Sequence, residues 1–293
     1  MKTLVVGFTP DPRGEEALVL AKTLAGAGDT AILVCVVTPE VWGYPSLANV
    51  DQEYGRFLGE YATAAMAQAR AALGDIPHLR FERVSARSAT VGLTQLAERE
   101  QAHMVVLGSA RSGSAIGRAA LGGVSEEILH LASVPVAIAP SHYTGAARPS
   151  RITVAYSGGD AARSTVLHAL GLAGALGVPL RLVSFAVRDR QMFPPLAGGG
   201  AEDVVVAGWV EQAQAGLDMV RGQIAVTGYP VHTEVSVGPD WDAAMAGLEW
   251  LDGELLLLGS SRLGPLQRVF LGSNAAKILR AAPVPVVVLP RQS

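Results

Sequence analysis

The chain has 293 residues, room for one large domain or two ordinary ones of about 100–200 residues each. Hydrophobic residues make up 49% and charged residues 17%, which excludes a disordered chain, and a net charge of −3 leaves no excess of Lys and Arg for a nucleic-acid surface. No stretch reaches the ~18 apolar residues of a membrane span, and the opening MKTLVVGFTP is too short an apolar run for a signal peptide with its cleavage site, so a soluble chain with no membrane or nucleic-acid partner is expected.

Taken in order, the sequence predicts a strand over 3–8, a helix over 15–24, and a second strand over 31–37. The second strand, AILVCVV, holds the single cysteine, Cys35, in the setting of an inert buried thiol. A chain without disulfides fits a reducing cytoplasm. A helix over 54–73 follows, then strands over 79–85, 104–107 and 134–139. Short apolar strands alternating with amphipathic helices predict a parallel sheet covered by helices on both faces, joined by right-handed crossovers.

The same order then returns. Strands are predicted over 152–156, 180–186, 231–237, 255–258 and 284–289. The letters repeat as well: LGSARSG at 107–113 matches LGSSRLG at 258–264, and SVPVAIAP at 133–140 matches APVPVVVLP at 282–290. The offset is 151 residues in the glycine loop and 150 at the last strand, which is a domain duplication and not a solenoid period. The small, polar and Pro/Gly-containing stretch 143–150 reads as a short linker, giving domains over 1–146 and 147–293. Long connections at 38–50 and 188–201 follow the second strand of each copy. They read either as surface loops or as lids over a ligand, with Trp42, Tyr44, Met192 and Phe193 as apolar contacts.

The glycine loops carry the most chemical information. In copy two, Gly259-Ser-Ser-Arg262-Leu-Gly264 leads to Gly272-Ser273 and a helix over 274–280. In copy one, Gly108-Ser-Ala-Arg111-Ser-Gly113 leads to Gly122-Gly123-Val-Ser125. Glycines let backbone N–H groups approach a phosphate, a helix N-terminus with a Ser or Asn cap adds donors and a positive dipole end, and Arg262 and Arg268 would add charge. The other reading is that the glycines serve tight turns at the sheet edge. Pro265 stands where a P-loop needs Lys, and no G-x-G-x-x-G follows the first strand. The six histidines form no metal-ligand pair, no G-x-S-x-G elbow is present, and the acidic pairs at 98–100 and 126–127 read as solvated helix faces, so no metal site or catalytic constellation is expected.

A strand, a glycine loop closing on Gly-Ser, a helix and a V-P-V-x-V strand together resemble the signature of the universal stress protein family, twice over, most strongly at 103–140 and 254–290. The resemblance implies an α/β fold of two tandem open five-stranded parallel sheets in the order 3-2-1-4-5, Rossmann-like and akin to the adenine nucleotide alpha hydrolases. It also implies a role in the stress response, ATP with its magnesium as ligand, hydrolysis at most slow, and dimerisation. By the switch-point rule such a ligand sits where the loops after strands one and four face each other. In domain 2 the implied nucleotide residues are Ser157, Asp160, Ala186, Gly259, Arg262, Gly264, Gly272, Ser273 and Asn274. In domain 1, less well preserved, they are Thr9, Asp11, Val37, Gly108, Arg111, Gly113, Gly122 and Gly123. Both copies depart from the family by lacking the Asp at the end of strand one. Thr9 and Ser157 stand there, with Asp11 and Asp160 as substitutes two and three residues on. Arg111 and Arg262 replace a loop glycine, and Gly123 replaces the family's hydroxyl residue. Two readings follow: a regulatory ATP-binding module centred on domain 2, or a non-nucleotide interaction scaffold in which the last strands of the two copies pair.

Overall fold

The computed structural model of the chain describes residues 1–26, 29–40, 48–109, 122–188, 200–259 and 272–290. It divides into two compact units, Met1–Arg148 and Pro149–Ser293. In the first, β1 (Lys2–Gly7), β2 (Thr30–Pro39), β3 (Leu79–Ala86), β4 (Met104–Leu107) and β5 (Val136–Ile138) alternate with helices α1 (Pro12–Ala25), α2 (Ala48–Leu73), α3 (Ala89–Arg99) and α4 (Gly123–Leu131). The strand order is β3-β2-β1-β4-β5, with every pair parallel. In the second unit, β6 (Arg151–Ala155), β7 (Leu180–Val187), β8 (Val231–Gly238), β9 (Glu254–Gly259) and β10 (Val286–Leu289) alternate with α5 (Gly159–Leu176), α6 (Gly200–Ala225), α7 (Trp241–Ala246) and α8 (Ser273–Ala281). Its order is β8-β7-β6-β9-β10, again parallel throughout. Each is the predicted 3-2-1-4-5 sheet.

The reason these segments are strands is burial on both faces. Val5, Val6, Val105, Val106 and Val136 in the first unit, and Leu256, Leu257, Val286 and Val288 in the second, are at most 1% exposed. That is what a parallel strand between two helical layers requires. Cys35 sits among them at 0% exposure, and burial, followed by the nearby Glu82 charge, pushes its thiol up to about 12. It is an inert core residue, as its apolar setting predicted. The long connections are shorter than expected: β2 runs on to Pro39, α2 opens at Ala48 and α6 at Gly200. Trp42, Tyr44, Met192 and Phe193 lie outside the described residues. The stretch read as a linker is not a free tether. Residues 142–147 lie along α1: the Glu16 carboxylate accepts the His142 N–H, and the Thr23 hydroxyl donates to the Ala146 carbonyl and accepts the Ala146 N–H.

The second unit carries a buried ionic network at the amino ends of its strands. Glu254, 0% exposed, accepts from Arg151 (2.6 Å), Arg181 (2.9 Å), the Thr153 hydroxyl and the backbone N–H of Leu251 (2.9 Å). Arg181, 3% exposed, also donates to Thr153 (3.0 Å) and the Glu249 carbonyl (3.0 Å), and its guanidinium lies 4.8 Å from the Trp250 ring centroid. Strand registers match Thr153 and Arg181 with the apolar pair Val5 and Leu33 in the first unit. The two copies therefore share their strands but differ here, an apolar core pair in the first standing where the second has a buried polar cluster.

Candidate functional site

The carboxyl edge of each sheet gathers the loops after strands one and four, where an open α/β fold binds ligands. In the first unit Phe8 N–H donates to the Cys35 carbonyl as β1 ends. Thr9 is exposed. Asp11 caps α1, its carboxylate accepting from the N–H groups of Arg13 (3.0 Å) and Gly14 (3.1 Å), with Pro12 opening the helix. The same carboxylate pairs with the Arg13 guanidinium. Burial pushes this acid up, but the hydrogen bonds from Arg13, Gly14 and Thr9 outweigh that and hold it below the usual carboxylate range. An N-cap Asp with Pro at the first helical position is a standard helix start, and it opens α1 three residues before the start expected at 15.

Gly108, just past β4, packs against this first turn. A Cβ there would lie 1.9 Å from the Arg13 carbonyl oxygen. The next residue, Ser109, is 1% exposed, and its backbone N–H donates to Glu16 of α1. Glu16, 9% exposed, also accepts the N–H of His142 at 2.6 Å. Burial raises its carboxyl above the usual range, opposed by the His142 and Ser109 N–H groups. Across the edge, α4 is capped by Gly122 with no side-chain hydrogen bond, and a Cβ on Gly123 would meet open space.

The second unit builds the same edge differently. Ser157, Gly158 and Gly159 are exposed after β6. Gly158 and Gly159 have φ of +79° and +76°, a conformation only glycine adopts readily, and Gly158 caps α5 without any side-chain hydrogen bond. Asp160 falls in the first turn of α5, its side chain outside the described residues. Gly259 ends β9 against α5, where a Cβ would lie 2.2 Å from the Thr165 hydroxyl. Opposite, α8 is capped by Gly272, again without a side-chain hydrogen bond. Ser273 is thus the first helical residue and not the cap expected from the sequence, and Ser273 and Asn274 are both exposed. Val37 and Ala186, at the ends of the second strands, are not equivalent positions: the registers match Val37 with Phe185. Arg111, Gly113, Arg262 and Gly264 lie outside the described residues.

The structure thus brings Asp11, Gly108, Gly122 and Gly123 to one edge, and Ser157, Gly259, Gly272 and Ser273 to the other. The sequence did not single out Arg13, Glu16 or Thr165. Only the buried face of α1, where Glu16 interrupts small and apolar residues, carried a signal for one of them.

Two repeats with the same switch-point strand order narrow the possibilities, and the match to a known family decides. The universal stress protein family profile matches residues 1–140 and again 149–290. The chain belongs to the universal stress protein family. Universal stress protein Rv2319c of Mycobacterium tuberculosis is 37% identical over 292 residues, covering 98% of this chain and 99% of its own. A universal stress protein of Mycolicibacterium smegmatis is 27% identical over 302 residues, covering 98% and 96%. Among solved structures, a universal stress protein from Archaeoglobus fulgidus aligns with a TM-score of 0.62 at 20% identity, covering 99% of this chain and 97% of that one, a likeness of fold. As a universal stress protein with two tandem domains, the chain has two candidate ligand edges, and their electrostatics differ. Domain 1 carries the Asp11 and Glu16 carboxylates with their hydrogen bonds taken up internally. At the described part of the domain 2 edge, both helix N-termini lack a side-chain cap. Among the described residues no group of His, Cys, Asp and Glu is arranged to hold a metal ion, and no helix is long and apolar enough to cross a membrane.

Proposed function

We infer that this universal stress protein is a regulatory protein of the stress response that responds to a nucleotide, and that ATP is held at the carboxyl edge of domain 2. The observation that supports this is the pair of helix starts, Gly158–Gly159 of α5 and Gly272–Ser273 of α8, whose glycine N-caps make no side-chain hydrogen bond to the first turn. Such ends carry free donors and a positive dipole end, which suit phosphate oxygens. The exposed Ser273 hydroxyl would add a contact, and magnesium would accompany the phosphates. In domain 1 the equivalent helix start is filled by the Asp11 carboxylate, which both uses the donors and repels an anion.

The test is ATP binding to the full chain by calorimetry, with Ser273→Asp beside it. An acidic residue at the start of a helix favours the helix yet repels phosphate, so binding should weaken about tenfold or more without loss of stability. Unchanged affinity in Ser273→Asp would refute the placement. If the wild-type chain binds no ATP, the reading as an interaction scaffold takes its place.

A further inference from the structure

Residues 141–147 run from the end of β5 toward domain 2, and two side chains of α1 hold them down. Glu16 accepts the His142 N–H at 2.6 Å. Two helical turns further on, Thr23, 1% exposed, grips the peptide groups of Ala146: its hydroxyl donates to the Ala146 carbonyl (2.9 Å) and accepts the Ala146 N–H (3.1 Å). Positions seven apart share one helix face, so both contacts fall on a single stripe of α1. His142 itself has φ of +61°, a left-handed conformation a non-glycine residue keeps only where its surroundings enforce it. The N–H that Glu16 accepts is that of this residue.

Glu16 has a second partner. It also accepts the N–H of Ser109, the residue immediately past the Gly108 that packs on α1. One buried carboxylate therefore holds the chain leaving β4 and the chain leaving β5. In domain 2 the helix position 148 residues on is Ser164, and no carboxylate takes this place.

We propose that residues 141–147 form a strap docked on α1, and that Glu16 couples the strap to the start of the domain 1 glycine loop at Ser109. A displacement at either end changes the acceptor that the other end uses. The coupling is reciprocal, as any linkage between two sites must be. It does not depend on whether domain 2 binds a nucleotide.

Hydrogen–deuterium exchange at the Ser109 amide and at amides of 141–147 tests this on the full chain. Glu16→Gln keeps the side-chain shape and removes the charge. It should speed exchange about tenfold or more at both Ser109 and His142, the loss expected for a charge-assisted hydrogen bond, with β1 and β2 amides unchanged. Thr23→Val loosens the strap from its other end. It should speed exchange at Ala146 and, to a smaller extent, at Ser109, and the effect at Ser109 should vanish when Glu16→Gln is also present. Faster exchange at only one of the two ends in Glu16→Gln would overturn the coupling. So would a uniform rise across domain 1, or a Thr23→Val effect confined to the strap.

Discussion

Glu254→Gln should destabilise domain 2 by about 3–5 kcal/mol, among the largest effects of any single polar substitution in the chain. The reason is desolvation. Glu254 has no solvent exposure, and its two oxygens serve Arg151, Arg181, Thr153 and the Leu251 N–H. Removing its charge leaves Arg181, itself 3% exposed, with one remaining carboxylate, Glu234, at 3.3 Å. A buried pair contributes little net stability when intact, yet breaking it strands a charge in a medium that cannot solvate it. The effect is therefore non-additive: adding Arg181→Met to Glu254→Gln should cost less than the sum of the two single changes. Urea unfolding followed by tryptophan fluorescence reads this out. Trp209, Trp241 and Trp250 lie in domain 2, and Trp42 alone lies in domain 1. A loss below about 1 kcal/mol in Glu254→Gln, or strict additivity, would contradict the network's role.

Gly108→Ala should cost domain 1 about 3 kcal/mol, because the new methyl meets the Arg13 backbone carbonyl at 1.9 Å and neither the strand end nor the helix start can shift cheaply. Trimming the Arg13 side chain would not help, since the obstacle is backbone. Gly259→Ala meets a side chain instead, the Thr165 hydroxyl at 2.2 Å, with Thr165 Cβ at a tolerable 3.4 Å. Its cost should be smaller, about 1–2 kcal/mol, and should nearly disappear in a Thr165→Ala background. Denaturation of the four variants decides between packing and ligand contact as the reason for the first loop glycine. If Gly259→Ala stays equally costly beside Thr165→Ala, close helix packing is not the reason.

The strands were legible because a parallel strand buried on both faces is a continuous apolar run, as in Val134-Pro-Val136-Ala-Ile138 and Val284-Pro-Val286-Val-Val288. The repeat was legible because both glycine loops and both final strands kept their letters. The division of labour among the glycines was not. Gly108 and Gly259 look alike in sequence, but each is defined by what it touches on another element. Helix starts were less legible: the first helix was expected from 15 with Asp11 as a possible ligand, whereas Asp11 caps a helix that begins at Pro12, and Gly272, not Ser273, takes the cap position of α8. The polar core of domain 2 escaped notice because Thr153, Arg181 and Glu254 are far apart in the chain, and only the strand register brings them together. Glu16 escaped for the same reason. An acid within a helix reads as solvated until its neighbours from other strands are known.

The central claim is that the two copies have diverged, with domain 2 holding the nucleotide and domain 1 having filled its equivalent helix start with Asp11. A calorimetric titration of ATP into three proteins tests it most directly: the wild-type chain, Ser273→Asp at the start of α8, and Gly123→Asp at the start of α4, where a side chain meets open space. The account predicts one nucleotide per chain, its affinity weakened about tenfold or more in Ser273→Asp and unchanged in Gly123→Asp. Two nucleotides per chain, or weakening in Gly123→Asp with unchanged affinity in Ser273→Asp, would contradict it.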